Sequence, residues 1–296
     1  MKGIVHCIGA AKAGTTWLFS QLSTSRDFYF TPEKEIHYYF TRYGDFNRLT
    51  TSDRFTKLKW FVEKSSINYR HPQPEPEFYR NFYLFQKNLD WYLNFSRGPV
   101  TDSWYRSLFK DAEANQWVCD FSPSTSKISV IGMRALRESD ENVKIIYMLR
   151  DPIDRLWSHI KFHATWIGKL EEVMAMTTSE KVNFVNKFDL LSDGMYGIIL
   201  QKLYEVFSPE DILLIDFEKV KSDPHSVLLD VGNFLNVEKP KGTMEISQAV
   251  NTSAPKPIEN DVCMSFGHKI CKDLDILQGY GFRPAAEWYK RLHDAL

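Results

Sequence analysis

The sequence contains few cysteines and no long apolar run. Its 296 residues include 4 cysteines, and no C-x-x-C pair occurs among them, which argues against a zinc site. No segment approaches the roughly 18 uninterrupted apolar residues that a membrane-spanning helix needs. The first residues are too short and too polar for a secretory signal, although an earlier targeting segment is not excluded. These absences predict a cytoplasmic protein with reduced thiols and no membrane span.

The chain also lacks an excess of either charge. It carries 37 Lys and Arg against 38 Asp and Glu, for a formal net charge of -1. A nucleic-acid-binding protein usually shows a strong basic excess, so the balance argues against nucleic acid as a partner. It still leaves room for a local basic pocket that binds a small polyanion. Aromatic residues are abundant, at 15%, which indicates an aromatic-lined cleft or a thick core.

Short apolar segments alternate along the chain with segments of helical spacing. Buried strands are predicted at residues 2–8, 28–31, 117–121, 143–149 and 211–217. This alternation is typical of an α/β fold with a parallel sheet covered by helices on both faces. We expect a single domain over residues 1–296.

Two departures from this alternation are expected. Residues 53–115 predict a helical, aromatic-rich insertion, broken by a proline-rich loop at residues 71–76, because proline disfavours helix before it. Residues 250–296 predict a mostly helical tail.

A glycine-bounded loop follows the first predicted strand and leads into a helix. Such a loop directs backbone N–H groups at an anion, and the helix dipole adds to the attraction. Gly9, Gly14 and Thr16 fit the phosphate-loop pattern G-x-x-x-x-G-K-[ST], so the sheet is predicted to be of P-loop type. The lysine position of that pattern holds Thr15, and a lysine lies inside the loop instead, at Lys12.

The displaced lysine bears on the chemistry of the loop. A nucleotide kinase needs the lysine after the second glycine and acidic residues for Mg²⁺. A sulfonate carries less charge than a terminal phosphate, so its transfer can proceed without a metal. A single lysine beside the bridging oxygen could then supply much of the charge stabilisation. On this segment alone, a strand-to-helix turn with an exposed lysine is an equally good interpretation.

Residues 12–18, KAGTTWL, resemble the 5′-phosphosulfate loop of sulfotransferases that use 3′-phosphoadenosine 5′-phosphosulfate (PAPS), whose usual form is K-[SAG]-G-T-[TS]-x-L. The resemblance implies that lysine, backbone amides and threonine hydroxyls of this segment hold the phosphosulfate. The cofactor-binding residues it implies are Lys12, Ala13, Gly14, Thr15, Thr16 and Trp17.

A second matching motif lies far along the chain. Arg150 ends the strand predicted at residues 143–149, and an arginine there points into the crevice where α/β folds bind ligands. Residues 149–159 resemble the family's 3′-phosphate motif, R-[ND]-P-x-[ED]-R-x-x-S-x-[HY]. The resemblance implies that Arg150 and Ser158 bind the 3′-phosphate. The alternative is that the arginines of this segment pair with its aspartates on a solvated face.

A third segment suggests the general base that a hydroxyl acceptor requires. Residues 32–40, PEKEIHYYF, resemble the P-x-K-E-x-x-[FY]-F segment of the heparan sulfate and bacterial sulfotransferase branch. That branch uses the glutamate as its proposed base, which implies Glu35. His37 is a weaker candidate, by analogy with the branch that uses a histidine. The alternative for Lys34 and Glu35 is a surface charge pair.

The resemblance extends from about residue 4 to residue 237. Residues 120–124 resemble the family's [DE]-x-[ST]-P-[SA] turn, and residues 192–196 its G-x-Y element. Beyond residue 237 the expected lysine- and glycine-rich loop is missing, and only residues 239–242 and 255–257 offer lysines. Which lysine closes over the nucleotide is left open.

Together these motifs predict an enzyme that moves a sulfonate from PAPS to an acceptor hydroxyl of a carbohydrate or small metabolite by in-line displacement, without a metal. A nucleotide kinase and a non-catalytic PAPS- or carbohydrate-binding module are the alternatives. The oligomeric state is left open. Aromatic residues of the insertion could line the acceptor cleft, although their helical spacing is more typical of core: Phe78, Tyr79, Phe82, Tyr83, Trp91, Tyr92, Trp104 and Tyr105.

Overall fold

The computed structural model describes residues 1–68, 75–238, 240 and 259–293. All five predicted strands are present in it, which confirms the apolar segments as buried strands. The strands are β1 Gly3–Gly9, β2 Phe28–Phe30, β3 Trp117–Asp120, β4 Val143–Leu149 and β5 Ile212–Asp216. Every side chain of β1 and β3 is buried, as expected for strands covered on both faces.

The strands form one parallel sheet in the order β2-β3-β1-β4-β5. This is the predicted α/β fold with helices on its faces. Parallel strands bring all their carboxyl ends to one edge, so the loops after β1, β2, β3 and β4 meet there. From β1 the chain passes to β2 and β3 on one side of β1, and then crosses to β4 on the other side. The crevice beside β1 is therefore a topological switch point, the usual ligand position in such folds.

Helices alternate with the strands and cover the sheet. The loop predicted to bind an anion runs from β1 into α1, and Asp151 caps the helix that follows β4 through its side chain. The helices are α1 Thr15–Leu22, α2 Tyr38–Tyr43, α3 Thr51–Asn68, α4 Glu75–Ser96, α5 Asp102–Ser107, α6 Val130–Arg137, α7 Pro152–Trp166, α8 Leu170–Ala175, α9 Thr178–Lys187, α10 Tyr196–Tyr204, α11 Phe217–Ser222, α12 Pro224–Leu235, α13 Asn260–Met264, α14 Gly267–Gly279 and α15 Pro284–His293.

The predicted insertion is helical and consists mainly of α3, α4 and α5. Arg54 on α3 is buried, and its guanidinium donates to the carbonyls of Phe95, Arg97 and Gly98 at 2.9–3.1 Å. These bonds satisfy carbonyls at the end of α4 that have no partner within the helix. Phe61 of α3 stacks on Tyr92 of α4, with ring centres 4.6 Å apart. The base of the insertion is thereby held together.

The aromatic residues of the insertion divide into two groups. Those near its base are core, as the helical spacing predicted: Trp91, Tyr92, Trp104 and Tyr105. Those in the first turns of α4 are exposed, where core was the favoured prediction: Phe78, Tyr79, Phe82 and Tyr83. Phe78 contacts the rings of Tyr79 and Phe82 on the same helix. Residues 71–74 of the predicted loop lie outside the described residues. Its last two residues, Glu75 and Pro76, are instead in the first turn of α4, where proline is tolerated.

The described part of the C-terminal tail, residues 259–293, is mostly helical. Residues 250–258 and 294–296 of that predicted tail lie outside the described residues. All four cysteines are buried and unpaired. Cys263 and Cys271 belong to two different helices, so they do not share a helix face. Within the described ranges, no helix is both long and apolar enough to cross a membrane.

Candidate active site

The loop between β1 and α1 curls tightly at the carboxyl edge of the sheet. Lys12 and Gly14 both have left-handed backbone angles, with φ of 71° and 93°. A side chain on Gly14 would meet the Phe217 ring at 2.7 Å, so only glycine fits here. The Ala10 N–H donates to the Met148 carbonyl at 2.7 Å, which ties the loop to β4. The loop is therefore fixed against the sheet where α1 begins.

Two residues of this loop that were predicted to bind the ligand have other contacts as well. The N–H of Ala13 donates to the Ala10 carbonyl at 3.1 Å, and its contribution to a ligand stays a prediction. The indole of Trp17 is buried in the core, which leaves its backbone as the part that this position can offer an anion. Thr15 and Thr16 occupy the first turn of α1, where amides and hydroxyls can both face a ligand.

Four positive side chains converge on this loop. The Lys12 ammonium lies 4.2 Å from the centre of the Phe162 ring. Burial lowers the pKa of Lys12, and the charges of Arg150 and Lys34 lower it further, with a smaller effect of the same sign from Lys161. The pKa of Lys161 is lowered by burial and then by Arg150. We call Lys12, Lys34, Arg150 and Lys161 the cation cluster. Because its members repel one another, an anion between them would be strongly attracted.

Arg150 lies at the crevice beside β1, as the sequence predicted. One of its terminal nitrogens, Nη1, donates to the Lys12 carbonyl at 3.3 Å, and its guanidinium lies 4.9 Å from the centre of the Phe217 ring. The Tyr196 hydroxyl donates to the Arg150 carbonyl at 2.8 Å and fixes the backbone. The Arg150 Nε is buried and has no hydrogen-bond partner in the part of the chain that the structure describes. An unsatisfied buried donor of this kind is costly and suits an acceptor group of a ligand.

The alternative in which these arginines pair with local aspartates is wrong. Arg291 of α15 occupies that position, 2.7 Å from Asp151 and 3.3 Å from Asp154. Arg155 is fully buried and donates to the Leu190 carbonyl at 2.7 Å. Arg150 is therefore available to the crevice.

Ser158 lies on α7, on the face of the helix that borders the anion loop. Lys161 and Phe162 follow it by three and four residues, so the three side chains share that face. Phe162 contacts Lys12 from this position. Ser158 therefore shares a helix face with Phe162, and its contact with the 3′-phosphate stays a prediction.

Lys34 is a member of the cation cluster that sequence reasoning missed. Its ammonium donates to the hydroxyls of Thr15 and Thr16 at 3.2 and 3.1 Å. It also lies 3.4 Å from Glu35, so the predicted charge pair exists but is not a plain surface pair. Lys34 therefore adds a second lysine to the anion loop from a different segment, near the place left empty by the displaced phosphate-loop lysine. The adjacency of K-E to a strand end was the signal that could have found it.

The two predicted base candidates lie next to each other. The Nε2 of His37 is 3.4 Å from the Glu35 carboxylate, and its Nδ1 is 2.7 Å from the Ser124 hydroxyl. Burial lowers the pKa of His37 to about 3, and the charges of Arg48, Lys57 and Lys34 add to the effect. His37 is thus neutral at pH 7. The Glu35 side chain is 39% exposed, which leaves its carboxylate open to an incoming group.

A buried carboxylate holds the segment that carries Glu35 and His37. Asp120, at the end of β3, accepts from the hydroxyls of Ser122 at 2.6 Å and Tyr105 at 2.8 Å, and from the N–H of Ile36. Ser122 in turn accepts from the N–H of His37 at 2.9 Å. Burial raises the pKa of Asp120 to about 6, and these donors oppose that rise. The predicted turn at residues 120–124 is therefore the support of the base segment.

The site so described offers a tight anion loop, four cations and one exposed carboxylate at a single crevice. Such an arrangement can hold a small polyanion and take a proton from a group that attacks it. The lysines considered for closing over the nucleotide, Lys239, Lys241 and Lys256, lie outside the described residues. Among the residues that the structure covers, no group of three or more His, Cys, Asp or Glu side chains could hold a metal ion.

Comparison with known proteins defines the class. A family model described as "Sulfotransferase domain" matches residues 5–257. The chain therefore belongs to the sulfotransferase domain family, which confirms the resemblance drawn from its motifs.

Individual relatives are distant. Carbohydrate sulfotransferase 15 of Rattus norvegicus is 22% identical over 299 residues, which cover 91% of this chain and 50% of that protein. Bifunctional heparan sulfate N-deacetylase/N-sulfotransferase 3 of Homo sapiens is 24% identical over 176 residues, 55% of this chain and 19% of that one. The chain thus spans half or less of these relatives. A solved sulfotransferase from Alicyclobacillus acidocaldarius matches with a TM-score of 0.58 at 21% identity, covering 93% of this chain and 94% of that one, which supports the fold.

The lowered pKa of His37 gives a testable pH dependence. We expect its ring protons to show no titration between pH 5 and 8 by NMR, with the signals assigned by their loss in His37→Gln. The unfolded chain binds this proton near pH 6.5 and the folded chain only near pH 3. His37 therefore makes folding stability rise with pH between about pH 3 and pH 6.5. Denaturation of His37→Gln should show a weaker pH dependence there. A ring that titrates near pH 6.5 would contradict the described environment.

Proposed function

We propose that the protein transfers a sulfonate group from PAPS to a hydroxyl group of a carbohydrate or small metabolite. The cation cluster is the observation that carries this proposal. One of its side chains belongs to a loop whose motif is that of a 5′-phosphosulfate site, and the other three come from the β2–α2 segment, the end of β4 and α7. Membership of the sulfotransferase domain family supports it further.

The residues of the crevice fit PAPS. The buried and unpartnered Nε of Arg150 suits a phosphate oxygen, and the planar guanidinium of arginine binds phosphate well. Ser158 would add a hydroxyl donor for the 3′-phosphate from α7. On the other side of the loop, Lys12, Lys34, Thr15 and Thr16 would hold the 5′-phosphosulfate. When bound, PAPS would supply the sulfonate, and adenosine 3′,5′-bisphosphate would leave.

Glu35 is assigned as the general base. It takes the proton of the acceptor hydroxyl while the acceptor oxygen forms a bond to sulfur and the bridging S–O bond breaks in line. Lys12 and Lys34 stabilise the negative charge that develops on the bridging oxygen. His37, neutral and 3.4 Å from Glu35, orients this carboxylate. If Nδ1 accepts from the Ser124 hydroxyl, Nε2 carries the hydrogen and faces Glu35.

A carbohydrate acceptor is supported by the names of two relatives, carbohydrate sulfotransferase 15 and bifunctional heparan sulfate N-deacetylase/N-sulfotransferase 3. The second name denotes transfer to nitrogen, so the names support the carbohydrate and not the hydroxyl. The most direct test supplies the protein with PAPS or ATP and a panel of sugars and small alcohols, and searches for sulfonated and phosphorylated products by mass spectrometry. We expect sulfonated products only. Phosphorylated products would favour the kinase alternative, and nucleotide binding without any product would favour a binding module.

Arg150→Ala should weaken binding of adenosine 3′,5′-bisphosphate far more than binding of adenosine 5′-monophosphate. The two ligands differ by the 3′-phosphate, and a lost charged hydrogen bond is worth about 1.5–3 kcal/mol. Titration calorimetry on both ligands measures the difference, with Arg134→Ala on the exposed side of α6 as the control. Equal losses for both ligands would mean that Arg150 does not bind that phosphate.

Glu35→Gln should lower turnover by about 10²–10⁴-fold, the usual contribution of a general base. The amide keeps the shape of the side chain but cannot take the acceptor's proton. Affinity for adenosine 3′,5′-bisphosphate should barely change, because the carboxylate faces the acceptor rather than the nucleotide. Steady-state kinetics and calorimetry measure both, with Glu63→Gln on the exposed face of α3 as the control. Nearly full turnover would show that Glu35 is structural, and the base role would then pass to His37.

A further inference from the structure

Successive side chains of the segment between β2 and α2 point in different directions. Lys34 reaches the anion loop, Glu35 faces the opening, and Ile36 is buried in the core. Glu33, the residue before them, faces the insertion instead. Its side chain is 16% exposed, and the proposed mechanism does not use it.

Both oxygens of the Glu33 carboxylate are occupied, each by a different helix of the insertion. Oε2 accepts from the Lys57 ammonium of α3 at 2.7 Å. Oε1 accepts from the Tyr92 hydroxyl of α4 at 2.8 Å. Lys57 also donates to the backbone carbonyl of Glu35 at 3.4 Å. The insertion therefore hydrogen-bonds to the segment at two residues, Glu33 and Glu35.

The groups that hold Glu33 are themselves fixed. Tyr92 is buried and stacks on Phe61 of α3, with ring centres 4.6 Å apart. Burial and the charge of Glu33 both raise the pKa of Tyr92, so its hydroxyl remains a donor. The bonds from Arg54 to carbonyls at the end of α4 hold the two helices together. The contacts with Glu33 thus come from the part of the insertion where α3 and α4 are joined by hydrogen bonds and ring stacking.

The opposite side of the same segment is held by the sheet. Asp120 accepts from the N–H of Ile36, and Ser122 accepts from the N–H of His37. The segment is therefore held by residues at the end of β3 on one side and by the insertion on the other. On the insertion side the Glu33 side chain contacts Lys57 and Tyr92.

We propose that Glu33 is a positioning residue that joins the helical insertion to the segment carrying Lys34 and Glu35, and so sets their place at the anion loop. This inference rests on the proposed function for its effect on turnover. Lys12, Arg150 and Ser158 belong to the β1–α1 loop, the end of β4 and α7, and do not depend on Glu33. Loss of the contact should therefore affect the transfer step more than nucleotide binding, to which Lys34 is one of several contributors.

Glu33→Gln and Lys57→Met test the contact from both sides. In Glu33→Gln an amide donor can face the Lys57 ammonium, and Lys57→Met removes the cation but keeps much of the apolar stem. Lys59→Met, on the exposed face of α3, is the matched control. Each variant is compared for turnover, affinity for adenosine 3′,5′-bisphosphate, and hydrogen–deuterium exchange of residues 31–37.

We expect turnover to fall by about 10- to 100-fold in both variants, since small misplacements of catalytic groups cost this much. Affinity for adenosine 3′,5′-bisphosphate should fall less, because Lys12, Arg150 and Ser158 stay in place and only Lys34 shifts. Exchange over residues 31–37 should accelerate in both variants and not in Lys59→Met. The double variant should be no slower than Lys57→Met, because Lys57→Met already removes the Lys57–Glu33 pair together with the bond to the Glu35 carbonyl. Lys57→Arg, which keeps the cation, should retain most of the turnover.

Unchanged exchange over residues 31–37 would overturn the proposal, as would a loss of nucleotide affinity equal to the loss of turnover. If Glu33→Gln does not fold, Lys57→Met and Tyr92→Phe decide by the same two readouts. If the wild-type protein transfers no sulfonate, the proposed function fails. The exchange experiment still decides whether Glu33 holds the segment, so the two failures are distinguishable.

Discussion

Positive charges placed close together in a protein are energetically unfavourable, because they repel each other and lose hydration when buried. Lys12, Lys34 and Arg150 meet at the carboxyl edge of the sheet, and burial together with their mutual repulsion lowers the pKa of Lys12. Much of the surrounding structure keeps them together. Phe162 and Phe217 lie against two of them as aromatic faces, which favour cations. The site is built for an anion, and the remaining features of the crevice follow from that constraint.

The carboxylate that would accept a proton lies close to these cations, so its segment must be held firmly. Asp120 does this from the sheet side, through the N–H of Ile36 and through Ser122. Glu33 does it from the insertion side, through Lys57 and Tyr92. Both supports are carboxylates whose oxygens are taken up by donors. Glu35, between them, remains exposed and able to meet an acceptor.

The fold was predictable because its strands are apolar segments with clear ends. The family motifs also pointed to Lys12 and Arg150, which lie next to each other because each follows directly after a neighbouring strand of the sheet. Contacts that depend on the packing of distant segments were not predictable. Lys34 reaches Thr15 and Thr16 across the crevice, and no spacing in the sequence shows that.

The insertion shows the same limit in another form. Helical spacing predicts that an aromatic stripe is buried, but which of its rings are buried depends on what packs against each turn of the helix. Tyr92 is therefore buried and Tyr79 is exposed. The single-domain organisation, the cytoplasmic location and the roles of the individual site residues stay predictions.

Lys12→Ala tests the central claim most directly, because the claim is that the cation cluster acts on a transferring sulfonate. The measurement is turnover of PAPS with an acceptor, alongside affinity for adenosine 3′,5′-bisphosphate. The control is Lys169→Ala at an exposed position on the surface. The account predicts a loss of turnover of about 10²–10³-fold, typical of a lost transition-state donor, with nucleotide binding mostly intact. Unchanged turnover in a folded Lys12→Ala protein would contradict it.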